Sequence, residues 1–244
     1  MIKGEKGEKG EKQAVRIPKI IHIIWIGNKR PPLWCINSWK HQYCAKYTGW
    51  TFMLWTETEI FDSEKLTIIN RDIYDAEPTL RGKSDIVRYE ILRTYGGIFL
   101  DADSYWIDNG KDLETLIEET YKWNCELFCA SEPKNKLYAN GVIGSVKEGE
   151  IIGRMIKYLR DNYYETKKRH PHKHAIWQVT GPVPFTNVLL ETEGCRWKRF
   201  PYHYFFPETY KKNEDYPKIE DMAKLFPDSY MYQYWLSHTK EYEE

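Results

Sequence analysis

The chain has 244 residues, long enough for one domain with a sizeable core, and its 36 Lys+Arg balance 36 Asp+Glu at a pI near 7.0. That balance leaves no net field to attract nucleic acid or an anionic membrane surface, and no apolar run approaches the ~18 residues of a membrane span. Aromatic residues make up 16%, with 10 Trp and 19 Tyr; core filling accounts for most of these rings, and the excess hints at flat surfaces for stacking on bases or sugars. The N-terminus mixes Lys with Glu and has no apolar h-region, so a cytoplasmic location is expected. Five cysteines (Cys35, Cys44, Cys125, Cys129 and Cys195) form no Cys-x2-Cys pair, which predicts reduced thiols rather than a zinc site.

From Gly4 to Lys12 the chain reads Gly-Glu-Lys three times. This is a Gly-X-Y period, whose physical meaning is that only glycine fits the axis of a collagen triple helix. Residues 1–16 are therefore read as a disordered, collagen-like tail, and 17–244 as a single globular domain. The β-branched run at 20–26, closed by Gly27, predicts a buried strand. Pro31-Pro32 opens a helix to about residue 46, and 50–55 reads as a second strand. A helix over 80–95 stops at Gly96-Gly97, and a strand at 98–100 runs into Asp101-Ala102-Asp103. Further helices are expected over 111–119, 149–163 and from Thr180-Gly181-Pro182 to about 190, with a strand at 127–130 and a basic surface loop at 167–174. The last forty residues are expected to wrap the domain. This alternation argues for an α/β fold with a mainly parallel sheet.

The chemistry concentrates between Arg81 and Asp103. Asp85 and Arg88 are three apart and share one helix face. Asp101 and Asp103 are two apart at a strand end, and their side chains point the same way if the extended geometry persists. Two such carboxylates past the C-terminal edge of a parallel sheet form a hard oxygen-ligand site for a divalent ion able to bridge two phosphates. Each pair alone is no more than a strand-end turn or a surface ion pair. The ordered combination of Ser84-Asp85, Arg88, Tyr95-Gly96-Gly97 and Leu100 to Asp103 is far more specific. His170, His172 and His174, set among Lys167, Lys168, Arg169 and Lys173, fit a surface loop better than a metal site.

In these motifs the chain resembles glycosyltransferase family 32, which carries a sugar-binding region with an Asp-x-Asp motif and has the large clostridial toxins as distant relatives. The resemblance covers Pro18 to about Leu190 and includes Pro18 to Gly27, Trp50 to Trp55, Asn140-Gly141 and Thr180-Gly181-Pro182. It implies a GT-A fold, with a single, mainly parallel central sheet flanked by helices. It also implies a nucleotide-sugar donor, Mn2+ (or Mg2+), and transfer with retention of configuration. By the same resemblance Asp101 contacts the ribose and metal shell, Asp103 binds the metal, and Asp85 and Arg88 hold the transferred sugar. Ile23 and Trp25 line the nucleobase pocket, and Asn140 lies beside the sugar.

Two positions depart from the family pattern. The family's C-terminal His-containing segment ending in Ser-Trp corresponds here to Tyr232 to His238, which leaves the third metal ligand open among Gln233, Ser237 and His238. Phe99 replaces a Tyr common before the metal motif. Lys6, Lys9 and Lys12 occupy the Y position of the triplets, the position that is hydroxylated and glycosylated in collagens. The expected reaction is therefore hexose transfer from UDP-glucose or UDP-galactose to hydroxylysine or galactosyl-hydroxylysine of a collagen-like protein. The alternatives are a capsular or lipid-linked glycan acceptor, or a catalytically silent nucleotide-sugar binding module.

Overall fold

The structure is a computed structural model and describes residues 15–133, 136–194, 196–209 and 215–238. The Gly-Glu-Lys triplets lie outside the described residues. Arg16, counted with the tail in the sequence, is paired with Glu118 at 2.9 Å.

Its strands are β1 (Ile20–Ile24), β2 (Thr51–Trp55), β3 (Gly97–Leu100), β4 (Ser104–Trp106), β5 (Leu127–Ser131), β6 (Tyr138–Ser145), β7 (Trp197–Phe200) and β8 (Met231–Gln233). Six of them form one sheet in the order β2-β1-β3-β6-β5-β7, and β4 pairs with β8 in a separate ribbon. β1 runs parallel to β2 and β3, and β5 parallel to β7, while β6 opposes both its neighbours. The sheet is thus mainly parallel, as the alternation of elements predicts. β1 is apolar at nearly every position because both faces are covered. Ile21 and Ile23 pack with Ile36, Trp39 and Tyr43 on one side, and Ile24 packs with Trp55, Ile86 and Ile91 on the other.

Helical segments cover both faces: α1 (Leu33–Asn37), α2 (Cys44–Lys46), α3 (Arg71–Ala76), α4 (Leu80–Tyr95), α5 (Glu114–Lys122), α6 (Glu150–Arg169), α7 (Ile176–Val179), α8 (Pro182–Leu190) and α9 (Ile219–Leu225). α4 spans the residues expected of it. The Thr79 hydroxyl accepts from Gly82 N at its start, and Gly96, at φ +65°, ends it.

Elsewhere tertiary bonds move the boundaries. The helix expected over 31–46 is π-helical at Ser38–Tyr43, where the Ser38 hydroxyl accepts from Trp106 N and the Trp39 indole donates to Ser104. α5 starts three residues late because Asp112 accepts from Glu114 N and the Tyr43 hydroxyl, holding 112–113 as a cap. α6 continues to Arg169, so Lys167, Lys168 and Arg169 lie in a last helical turn rather than in a loop. Cations are favourable there, and Lys167 also bridges the buried Glu77 at 3.0 Å. The described part of the C-terminal forty residues adds one strand, β8, which pairs with β4 immediately after the Asp-x-Asp turn, and just before that stretch β7 extends the central sheet.

Candidate active site

The connectivity brings the motif residues to one edge of the sheet. α4 runs back along β3 and reverses at Gly96-Gly97, so the start of α4 and the end of β3 lie together. β1 is parallel to β3 and ends beside it, and the antiparallel β6 begins there. Outside this edge is a cavity of about 290 Å3. Ser84, Asp85 and Arg88 of α4 line it, with Asp101, Ala102 and Asp103 from the turn after β3 and Asn140 from β6. Ile24, Trp25, Ile26 and Lys29 form a second wall, Ile176, Trp177, Gly181 and Pro182 a third, and Gln233 and Trp235 to Ser237 a fourth.

A buried polar network makes the floor. The Asp85 carboxylate accepts from Asn140 Nδ2 at 2.9 Å and from the Thr180 hydroxyl at 2.8 Å, and pairs with Arg88 at 3.0 Å. Burial pushes the Asp85 carboxyl up, against the pull of Arg88 and the two hydrogen bonds. Arg88 also donates to the Asn140 carbonyl, reaches Asp101 at 3.4 Å, and lies over the Phe99 ring with its Cζ 4.4 Å from the centroid. Phe99, which lacks the hydroxyl of the family's Tyr, thus supplies a face for the guanidinium. Arg88 Nε is buried with no hydrogen-bond partner among the described residues.

Above this floor the Asp-x-Asp segment is a turn, not an extended continuation of β3. The Asp101 carbonyl accepts from Ser104 N at 3.1 Å and from the Ser104 hydroxyl at 2.7 Å. The same-side argument drawn from strand geometry therefore does not apply, yet the turn still directs both carboxylates to the cavity. Asp101 lies against Gly141, where a Cβ would stand 2.4 Å from its Oδ2. Burial, with the charges of Asp103 and Asp85, pushes the Asp101 carboxyl above the ordinary carboxylate range despite Arg88. Asp103 is held from the C-terminal ribbon: Gln233 Nε2 donates to Oδ1 at 2.5 Å and Leu236 N to Oδ2 at 2.8 Å. A carboxylate only accepts, so the Gln233 amide nitrogen must face it. That leaves Gln233 Oε1, in a residue 4% exposed, buried with no hydrogen-bond partner among the described residues. Trp235 adopts φ +56°, uncommon for a bulky residue, where the chain turns between these two contacts.

The structure brings together Asp85, Arg88, Asp101, Asp103, Asn140, Trp25, Gln233 and Ser237 around one cavity. Ile23 is fully buried in the core behind β1, because strand alternation turns it away from the face of Ile24. The backbone of His238 closes the short turn Leu236–His238. Among the described residues no three His, Cys, Asp or Glu cluster as a metal site, so an ion here would need the amide oxygen of Gln233 or exogenous ligands. Trp177 was not singled out in the sequence, and Thr180 and Trp235 were named only inside longer motifs, without a role of their own. Thr180 stands inside the Thr-Gly-Pro signature, but its partner Asp85 is 95 residues away.

Residues 33–123 match the family described as "Glycosyltransferase sugar-binding region containing DXD motif", the DXD being Asp101-Ala102-Asp103. Over those residues the chain is similar to the sugar-binding region of the DXD glycosyltransferases. It is 33% identical over 220 residues to inositol phosphoceramide mannosyltransferase 3 of Schizosaccharomyces pombe, covering 82% of this chain and 53% of that protein. Over 92 residues it is 34% identical to inositol phosphoceramide mannosyltransferase 1 of the same yeast, 36% of this chain and 28% of that one. The chain thus spans about half or less of these curated relatives. The fold is of the GT-A type. The glycosyltransferase domain of the YGT toxin superposes with a TM-score of 0.52 in its ligand-free form and 0.51 in its UDP-bound form, at 10% and 11% identity. Each covers 76% of this chain and 80% of the toxin domain. Among the described residues no helix is long and apolar enough to cross a membrane.

Proposed function

We propose that this chain transfers a hexose from a nucleotide sugar to a hydroxyl acceptor, with a divalent cation, Mn2+ or Mg2+, at the Asp101–Asp103 turn. The observation that carries this reading is Gln233 Oε1, a buried amide oxygen with no hydrogen-bond partner among the described residues, on the same cavity as the Asp101 and Asp103 carboxylates. Two carboxylates and an amide oxygen are hard donors of the kind Mn2+ and Mg2+ accept. Asp101, Asp103 and Gln233 would hold the ion, with Ser237 and His238 as further candidates, and when bound it neutralises charge on the diphosphate leaving group.

The chain's own residues supply positioning. Asp85, Arg88 and Asn140 form a rigid polar floor for the hexose, with Arg88 screened from solvent and stacked on Phe99. Trp25 offers a ring for the nucleobase on the wall at the end of β1. The acceptor oxygen bonds to the anomeric carbon on the face from which the diphosphate departs. The carbon–oxygen bond to phosphate breaks, and the acceptor proton passes to the departing phosphate oxygen. Asp85 is engaged by Asn140, Thr180 and Arg88 at once, which favours this front-face course over a covalent carboxylate intermediate.

The Y-position lysines of the N-terminal triplets support UDP-glucose or UDP-galactose as donor and a collagen-like acceptor. The names of the yeast relatives support a second pair, mannose and an inositol-phosphate headgroup. Incubating the chain with UDP-glucose, UDP-galactose or GDP-mannose and Mn2+, against hydroxylated collagen peptides and phosphatidylinositol, separates these pairs by product mass. Asp103→Asn is expected to reduce transfer at least ~100-fold with the unfolding temperature nearly unchanged, because a charged ligand is lost without a change of shape. Undiminished transfer, or nucleotide binding indifferent to Mn2+ in calorimetry, would overturn the site assignment.

A further inference from the structure

We propose that Trp177 is the acceptor platform of this cavity and that the acceptor presents a sugar or cyclitol ring to it. The inference rests on the glycosyl-transfer reading and narrows it to one class of acceptor.

Trp177 lines the cavity and is 46% exposed, whereas Trp39 and Trp55 are fully buried. Among the described residues it belongs to none of the hydrophobic clusters. A half-exposed indole retains apolar surface in water that folding alone leaves uncovered. Its support, by contrast, is rigid. Thr180 N and Gly181 N both donate to the Ile176 carbonyl, at 3.0 and 3.1 Å. A Cβ on Gly181 would stand 2.8 Å from Trp177 Cα, so the glycine lets the chain fold back tightly beneath the tryptophan. Ile176 packs close against Gly82 of α4, where a Cβ would meet its Cδ1 at 2.6 Å. Three residues beyond Trp177, the buried Thr180 binds Asp85. The ring is therefore carried on the same short segment that braces the sugar floor.

The wall it stands on suits the acceptor. The two Asp residues and Gln233 serve the diphosphate, and Trp25 and Lys29 lie on the wall at the end of β1. The wall of Ile176, Trp177, Gly181 and Pro182 carries no charge. An indole face on an uncharged wall attracts the polarised C–H face of a ring polyol, while an open-chain amino alcohol offers it no comparable flat surface.

Kinetics on the full chain test this with methyl β-galactopyranoside, myo-inositol and free 5-hydroxylysine as acceptors. At least one ring compound is expected to accept hexose in preference to 5-hydroxylysine. Trp177→Ala should raise the acceptor KM about tenfold or more while kcat and the donor KM move far less, and Trp177→Phe should recover most of the loss. An unchanged acceptor KM in Trp177→Ala overturns the proposal, as does preference for 5-hydroxylysine or donor hydrolysis with transfer to neither ring. Absence of both donor hydrolysis and metal-dependent nucleotide binding in the unaltered chain would instead sink the glycosyl-transfer reading itself.

Discussion

Gly141 shows how little room the site leaves its carboxylates. A methyl group there would meet Asp101 Oδ2 at 2.4 Å. The Asp101 side chain keeps 35% exposure toward the cavity and can swing away, so the strain falls on the carboxylate and not on the sheet. Gly141→Ala is expected to lower transfer at least about tenfold with an unfolding temperature within a few degrees of the parent. A fall of more than ~2 kcal/mol in stability with activity intact would show that the glycine serves packing instead. At this scale the sequence was informative about which residues come together, since Asp85, Arg88, Asn140, Asp101 and Asp103 all reach the cavity. It was silent on how they are held. Nothing in the spacing of Asp101 and Asp103 reveals that Ser104 closes a turn between them, or that Gln233 and Leu236 clamp Asp103 from 130 and 133 residues away.

Among the elements, α4 was the most legible, because the glycine stop that ends it is local. Its anchorage is not local. Glu77, fully buried just before α4, accepts from Thr79 N and Oγ1, from the Tyr163 hydroxyl and from Lys167 Nζ, tying the start of α4 to the far end of α6. Burial pushes its carboxyl up, but these bonds outweigh it and leave it below the ordinary carboxylate value. Glu77→Ala strands four buried or half-buried donors and is expected to cost about 3 kcal/mol in urea unfolding. A loss under ~1 kcal/mol would show that α4 and α6 hold together by apolar packing alone. The same clamp explains why α6 reaches Arg169 when its apolar pattern fades near Tyr163. β6, in contrast, was hidden: Tyr138–Ser145 contains two glycines and no clear alternation, and it is a strand because β3 and β5 bond to it on both sides.

Across the whole molecule, His22 connects the sheet to the pH of its surroundings. It is fully buried on β1, where one ring nitrogen donates to the Gly96 carbonyl at 2.8 Å and the other accepts from Trp55 Nε1 at 3.1 Å. The ring is therefore neutral, and burial lowers its pKa to about 4, the Gly96 bond pulling weakly the other way. Above pH ~6.5 neither the folded nor the unfolded chain carries this proton, and the residue's contribution to stability is constant. Between ~6.5 and ~4 only the unfolded chain binds it, so stability falls with pH, by about 3 kcal/mol over the window. Urea unfolding at pH 7.5 and pH 5 should show a loss about 2 kcal/mol smaller in His22→Gln than in the parent. Equal losses would place the acid sensitivity elsewhere.

What the sequence determined by itself is what depends on near neighbours: the strand–helix alternation, the buried β1, α4 up to its glycine stop, and the motif from Arg81 to Asp103, whose residues lie within 23 positions of one another. The tertiary structure alone decided which strand joins which, that residues 197–200 and 231–233 are strands at all, and that the Asp-x-Asp segment is a clamped turn. It also decided that Trp177 and Gln233 stand at the same cavity, with the buried Thr180 bonded to Asp85 behind it. The physical reason is the range of the forces involved. Helix caps, glycine turns and hydrophobic periodicity act over a few residues and can be read along the chain. The carboxylates of the site are positioned by hydrogen bonds from segments 95 to 133 residues distant, which meet only once the sheet has formed.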